Sequence, residues 1–204
     1  MKISGLISIK RQVILASQSP RRRQLLTQIG LEFSTQPSSF DEDSIQANTS
    51  PEEYVQKLAI AKAADIASRL KEKHLVIGAD TTVVLNNEIL NKPTNKQQAI
   101  KMLEKLSGKT HTVFTGIALV AAPEGIKISA VQKTDVTFRT LQPDEIKLYV
   151  ESGSPMDKAG AYGIQDDFGA VFVEHINGCY YNIVGLPLEM LYRKLRALTT
   201  LLND

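Results

Sequence analysis

Apolar and polar positions along this chain follow two periods, and each change of period marks an element. Val13-Ile14-Leu15-Ala16 is a continuous apolar run of strand type, whereas Leu25, Leu26 and Ile29 recur at helical spacing and stop at Gly30. Ser19 has N-cap chemistry, and Pro20 suits the first helical position because its missing N–H would find no intrahelical partner. Residues 31–35 alternate like a strand, and residues 37–43 read as a polar loop. Ser50-Pro51 opens the longest helix, with Glu53 completing a capping box and Tyr54, Leu58, Ala61, Ile66 and Leu70 as its apolar side. Residues 75–85 form the most apolar, β-branched run and are placed centrally in the sheet. Asn86-Asn87 then turns the chain into a short strand closed by Pro93, a hairpin that would return Lys92 toward Asp80.

The second half continues the alternation. Thr94 with Gln97 is expected to cap a helix running to about Leu106, with Ala99, Met102, Leu103 and Leu106 inward. Residues 113–122 and 126–138 are two long strands about Pro123-Glu124-Gly125, and Pro143 opens a helix ended by residues 152–155. Residues 170–176 and 179–183 flank Asn177-Gly178, a hairpin signal, and Leu188, Leu191, Leu195 and Leu198 define a last amphipathic helix. With no repeat or linker, the expectation is one α/β domain over residues 1–204, a mixed sheet flanked by helices.

Composition narrows the function classes. A net charge of +2, from 24 basic and 22 acidic residues, provides no global field to hold a nucleic-acid polymer. The single cysteine, Cys179, cannot form an internal disulfide or a thiolate cage and is expected at a packed strand position. No apolar run approaches the roughly 20 residues that span a bilayer, and residues 1–10 are too short and mixed for a secretory signal. A cytoplasmic protein with no membrane partner is expected. His74, His111 and His175 lie far apart, without ligand spacing.

Local chemistry concentrates in a few places. Arg21 and Arg22 fall in the first turn of the first helix, where two cations and the positive end of the helix dipole crowd together unless an anion resolves them. This is a phosphate site, or else two solvated arginines. Asp80 interrupts the central strand, and desolvating a carboxylate costs several kcal/mol, so it needs a metal, a base or a catalytic role, or else ends the strand at a turn after Gly78. Asp41-Glu42-Asp43 invites a cation or water. Lys62 lies near the apolar stripe of its helix and either snorkels or reaches an anion. Residues 157–165 are rich in small residues, as backbone that approaches a ligand must be.

Ser17-Gln18-Ser19-Pro20-Arg21-Arg22 with Leu25-Leu26, then Gly78-Ala79-Asp80-Thr81, Lys92-Pro93, Ser107-Gly108 and Ala159-Gly160-Ala161-Tyr162-Gly163-Ile164-Gln165 resemble, in order, the motifs of the Maf family of nucleoside triphosphate pyrophosphatases. The resemblance implies an elongated α/β fold related to the inosine triphosphatases, two lobes around a central cleft, often dimeric, so a homodimer is among the expectations. It implies cleavage between the α- and β-phosphates with Mg²⁺ or Mn²⁺. Asp80 matches the family's proton acceptor. Arg21, Thr81 and Gln165 match the positions of pyrimidine selectivity in the branch acting on dTTP and UTP. Ser17, Arg22, Lys62 and Lys92 match the phosphate-facing set, and Glu42, with Asp80, the metal position. The chain departs from the family pattern at Asp166-Asp167-Phe168, where Gly is usual. The rivals are a non-catalytic nucleotide sensor in growth or division control and a pyrophosphatase for 7-methyl-GTP or other modified nucleotides.

Overall fold

The computed structural model describes residues 3, 6–45, 49–165 and 167–203, and the side chains of Asp167 and Asn203 are left aside. In chain order the elements are β1 (Gln12–Leu15), α1 (Pro20–Gln28), β2 (Ser34–Thr35), α2 (Pro51–Ala67), β3 (His74–Leu85), β4 (Glu88–Leu90), α3 (Lys96–Leu106), β5 (Thr110–Ala122), β6 (Ile126–Phe138), α4 (Pro143–Glu151), α5 (Asp167–Phe172), β7 (Val173–Asn177), α6 (Tyr180–Val184) and α7 (Leu188–Asn203). The sheet runs β2-β1-β3-β5-β6-β7, with β4 paired to β3. By internal contacts the chain divides into two compact units, one of Met1–Asp80, Thr115–Gln132 and Gly185–Asp204, the other of Thr81–Phe114 and Lys133–Val184.

In the first unit β2, β1 and the start of β3 are parallel, with Leu15 opposite Ile77 and the Ala16 N–H donating to the Ile77 carbonyl at 2.8 Å. Parallel neighbours need crossover helices. α1 begins on Ser19, whose hydroxyl accepts from the Arg22 N–H, and ends before Gly30 at φ 66°. α2 begins on Ser50, which accepts from the Glu53 N–H. Its buried residues are Val55, Leu58, Ala59, Ala63, Ile66 and Ala67, so the inward face is turned from the expected stripe: Tyr54 and Ala61 lie at its margin. Small side chains take the centre because the sheet beneath is glycine. A Cβ on Gly78 would lie 2.2 Å from the Ala59 carbonyl oxygen and 2.9 Å from Ala63 Cβ, and one on Gly116 would lie 2.3 Å from the Val55 carbonyl oxygen. Ile14, Ala16, Val76, Ala118, Val120 and Ala122 complete this core. Leu188, Leu191, Leu195 and Leu198 of α7 are buried, as their spacing predicts.

The second unit packs α3 and α4 together, with Ala99, Met102, Leu103, Leu106, Ile146, Tyr149 and Val150 buried. The cap of α3 is Asn95, accepting from the Gln98 N–H, rather than Thr94; Gln98 reaches back to the Thr94 N–H instead. Asn86 and Asn87, at φ 50° and 65°, make the β3–β4 turn. Edge-to-face contacts link His111, Phe138, Tyr162, Phe172 and Tyr149. The Tyr162 hydroxyl sits 2.8 Å from His111 Nε2, and the Gly163 N–H donates to the Tyr149 hydroxyl, so the aromatic core grips the small-residue stretch before Gln165.

Three further expectations are corrected. Residues 170–183 form no hairpin: the chain runs α5, β7, α6, so Asn177-Gly178 leads into a helix and Cys179 sits half-buried in that connection. Tertiary bonding decides this. Asn182, fully buried, donates to the Val113 carbonyl at 3.0 Å and to Thr134 Oγ1 at 2.9 Å, and Thr134 Oγ1 accepts from the Cys179 N–H, a set that a helical turn satisfies. The strand expected over residues 31–35 shrinks to Ser34–Thr35. Asp80 does not end a strand at a turn; it lies inside β3. Asp166 lies outside the described residues, as do positions 1, 2, 4 and 5 of the segment judged not to be a signal.

Gly78→Ala should lower stability by about 3 kcal/mol or more, at or beyond the upper end of ordinary overpacking, because a backbone oxygen occupies the space. Gly125→Ala, with nothing within 4 Å but φ +72°, should cost only about 1 kcal/mol in the same urea titration.

Candidate active site

β1 pairs with β3 as far as Ile77, so the chain leaving β1 through Ser17 emerges beside the next residues of β3, the carboxyl end where parallel sheets place their ligands. Val76, Gly78 and Asp80 alternate onto one face of β3, the face that Ala59 and Ala63 of α2 cover at Gly78. Lys62, three residues beyond Ala59, therefore meets Asp80 at once. Its Nζ lies 2.6 Å from Asp80 Oδ1 and 2.8 Å from Glu42 Oε1. Glu42 arrives on a 3₁₀ turn, Glu42–Ser44, capped by Asp41, whose carboxylate accepts from the Asp43 N–H at 3.1 Å.

Beside this triad stands the start of α1. Ser17, 8% exposed, accepts at its hydroxyl from the Ser19 N–H and from Arg22 Nη1, both at 3.2 Å. Arg22 Nε donates to the Gly185 carbonyl at 2.9 Å, which fixes the plane of the guanidinium. Burial pulls the Arg22 pKa down from its ordinary value, with the charges of Asp80 and Glu42 opposing and that of Arg21 adding. Burial pushes the Asp80 carboxyl above the usual aspartate value of 3.8; Lys62 and Arg22 pull it back and Glu42 raises it further. Tyr54 is raised as well, by burial and by the charges of Asp80, Glu42 and Asp43.

Ser17, Arg21, Arg22, Glu42, Lys62 and Asp80 thus belong to the first unit, and hydrogen bonds, ion pairs or mutual charge join them into one cluster, Arg21 through its charge on Arg22. Thr81, Lys92 and Gln165 belong to the second unit: Thr81 half-buried in β3, Lys92 exposed beyond the end of β4, and Gln165 half-buried after the tightly held Tyr162-Gly163-Ile164. Sequence reasoning missed Tyr54 and Gly185. Tyr54 shares a helix face with Lys62 at a separation of eight residues and was assigned to the apolar side; no local signal exists for a carbonyl 163 residues from its arginine.

The donor set suits a hard divalent cation. Two carboxylates already converge on one positive charge, and Mg²⁺ or Mn²⁺ prefers one or two carboxylates completed by phosphate oxygens and water. Among the described residues no group of three or more His, Cys, Asp and Glu side chains forms a complete protein cage.

Residues 12–198 match the family model described as Maf-like protein, and the chain belongs to the Maf family. It is 48% identical over 186 residues to the dTTP/UTP pyrophosphatase of Desulforamulus reducens, covering 91% of this chain and 96% of that protein. It is 51% identical over 177 residues to the dTTP/UTP pyrophosphatase of Moorella thermoacetica, covering 87% and 90%. Among solved structures, a HAM1 protein from Coxiella burnetii aligns over 91% of this chain and 98% of its own at 17% identity and a TM-score of 0.47.

Lys62→Met should destabilise the protein more at pH 8 than at pH 5. The folded-state pKa of Asp80 is already raised, so its contribution to stability is lost as pH rises through that value, and removing Lys62 raises it further. The expected deficit at pH 8 is about 3 kcal/mol, the lower end for an uncompensated buried charge because Arg22 remains. Urea titrations at both pH values check this, and adding Asp80→Asn should abolish the pH dependence.

Proposed function

We propose that this chain is a nucleoside triphosphate pyrophosphatase that converts dTTP and UTP, with water, to the monophosphate and pyrophosphate. The observation that carries the reading is the buried Asp80 carboxylate, held between Lys62 and Arg22 at the carboxyl end of β1 and beside the capped start of α1. A polyphosphate requires fixed positive charge, and the charge here is prepaid in position: Arg22 is oriented by Ser17 and Gly185 before any substrate arrives.

In this reading Arg21, Arg22, Lys62 and Lys92 bind phosphate oxygens, with Ser17 orienting Arg22. Asp80 accepts a proton from water as the water oxygen bonds to the α-phosphorus; the bond from that phosphorus to the bridging oxygen breaks, and pyrophosphate leaves with the electron pair. Burial places the Asp80 pKa above the ordinary carboxylate value, which makes it a stronger base, while the charges of Lys62 and Arg22 favour its ionised form. Glu42 and Asp80 would hold Mg²⁺ or Mn²⁺, which when bound offsets the charge building on the phosphate oxygens. Thr81 and Gln165, with Arg21, take the role in pyrimidine selection that the family resemblance assigns to these positions. Nothing in the cluster favours binding without chemistry, since a sensor has no need of a buried, raised carboxylate next to the phosphate ligands. A cytoplasmic homodimer completes the proposal on the family resemblance; no described helix is long and apolar enough to cross a membrane.

Asp80→Asn should lower pyrophosphate release from dTTP and UTP about 100-fold or more with the circular dichroism spectrum unchanged. In the native protein the acid limb of kcat/KM should lie above pH 3.8, the ordinary aspartate value. Full turnover by the Asn variant, or a triphosphate panel in which 7-methyl-GTP exceeds both pyrimidines, would overturn the assignment.

A further inference from the structure

The loop that delivers Glu42 is tied to the helix that carries Lys62 by one carboxylate. Asp65 stands three residues beyond Lys62 on α2, and its Oδ2 accepts from Ser38 Oγ and from the Ser39 N–H, both at 2.8 Å. Arg69, one turn further on, bonds both Asp65 and Ser39 Oγ, the latter at 2.6 Å. Ser38 Oγ then accepts from the Phe40 N–H at 3.0 Å, and Asp41 caps the turn that begins at Glu42. On the other side the Gln36 N–H donates to the Leu15 carbonyl, extending the β2–β1 pairing. The segment is therefore pinned at Gln36 and again at Ser38-Ser39, and only a few residues separate the second pin from Glu42.

The Glu42 side chain is 51% exposed where Lys62 and Asp80 are each 12% exposed, so burial does little to fix it. A long, half-solvated carboxylate that meets its partner at 2.8 Å needs its backbone placed from elsewhere. The Asp65 carboxyl lies below its ordinary value: burial pushes it up, but the bonds from Ser38, Ser39 and Arg69 outweigh that, so it stays ionised as an acceptor at neutral pH.

We propose that Asp65 is a positioning residue for the pyrophosphatase: by clamping Ser38 and Ser39 to α2 it places Glu42 on Lys62 and Asp80, and so sets the affinity of the site for its divalent cation. The inference rests on the reading of Glu42 as a cation-holding residue. It predicts an effect that passes through Glu42 and nothing else. Asp65→Ala should weaken Mn²⁺ binding, titrated by electron paramagnetic resonance with a non-hydrolysable triphosphate bound, about tenfold, and should raise the Mg²⁺ concentration for half-maximal dTTP hydrolysis by a like factor while leaving kcat at saturating Mg²⁺ within about twofold. Glu42→Gln should do at least as much, and the double variant should be no worse than Glu42→Gln alone. Asp65→Asn, which keeps an oxygen acceptor for Ser38 and Ser39, should recover most of the loss, and if the alanine variant folds poorly Ser38→Ala, which removes one of the two bonds from the loop to Asp65, should raise the requirement in its place.

The outcomes separate the two claims. If Glu42→Gln raises the Mg²⁺ requirement but Asp65→Ala, or Ser38→Ala in its place, does not, the site reading stands and the positioning role is overturned. If the Asp65 effect multiplies undiminished on the Glu42→Gln background, Asp65 acts by another route and the proposal is overturned. If Glu42→Gln leaves the requirement unchanged, the cation role of Glu42 fails and the clamp on it fails too, whatever Asp65 does.

Discussion

The nearness of α2 to the sheet is the constraint from which the site follows. A helix normally rides on side chains that hold its axis some 10 Å from a sheet, and a lysine on its flank would then pass over a strand carboxylate rather than meet it end-on. Here Gly78 and Gly116 offer no side chain, and Ala59, Ala63 and the Val55 carbonyl sink into the space. Lys62 comes down with them. The same glycine that opens the space stands two residues before Asp80, on the same face of β3, so the close approach and the buried carboxylate share one strand periodicity.

What that approach produces is a balance of large opposing terms. At 2.6 Å and an effective dielectric near 20, the Lys62–Asp80 attraction is about 6 kcal/mol, and removing the two charges from water costs several kcal/mol each. The pair alone is close to break-even. Arg22 then adds attraction for Asp80, and Glu42, drawn to the same ammonium, adds repulsion; with burial the largest of these effects, the carboxyl is left above its ordinary pKa. A cluster so nearly balanced responds strongly to any further charge brought beside it, because each of its members already shares its partner with another.

Much of this was legible in the chain, and the reason differs from part to part. Ser19-Pro20 before Leu25 and Leu26, Gly30 after them, and the leucines of α7 are local signals read by local backbone geometry, and the structure follows them. Asp80 could be singled out because a carboxylate inside an apolar β-branched run has to be compensated, and Lys62 because a cation beside a buried stripe has to reach something. Neither argument could join the two: the expected stripe of α2 ran through Tyr54 and Ala61, whereas the helix buries Val55, Ala59 and Ala63, a rotation dictated by glycines on distant strands. Asn177-Gly178 failed for the same kind of reason. Its turn chemistry is sound, but the buried Asn182 amide finds its acceptors on Val113 and Thr134 only if the following residues coil.

The polar loop between β2 and α2 shows how an element without periodicity still becomes exact in space. None of residues 37–43 is fully buried, and Phe40, the single aromatic among them, is only half-buried. Their order comes instead from backbone donors meeting carboxylates: the Ser39 N–H on Asp65, the Asp43 N–H on Asp41. Such bonds are individually worth about 1 kcal/mol, up to about 3 kcal/mol when the acceptor is charged, and several in sequence can offset the backbone entropy of only a few residues. That limit explains why the stretch is pinned to elements that are themselves buried. The acidic run reads as solvent-facing from composition alone because the ammonium it serves belongs to a helix that begins several residues later in the chain.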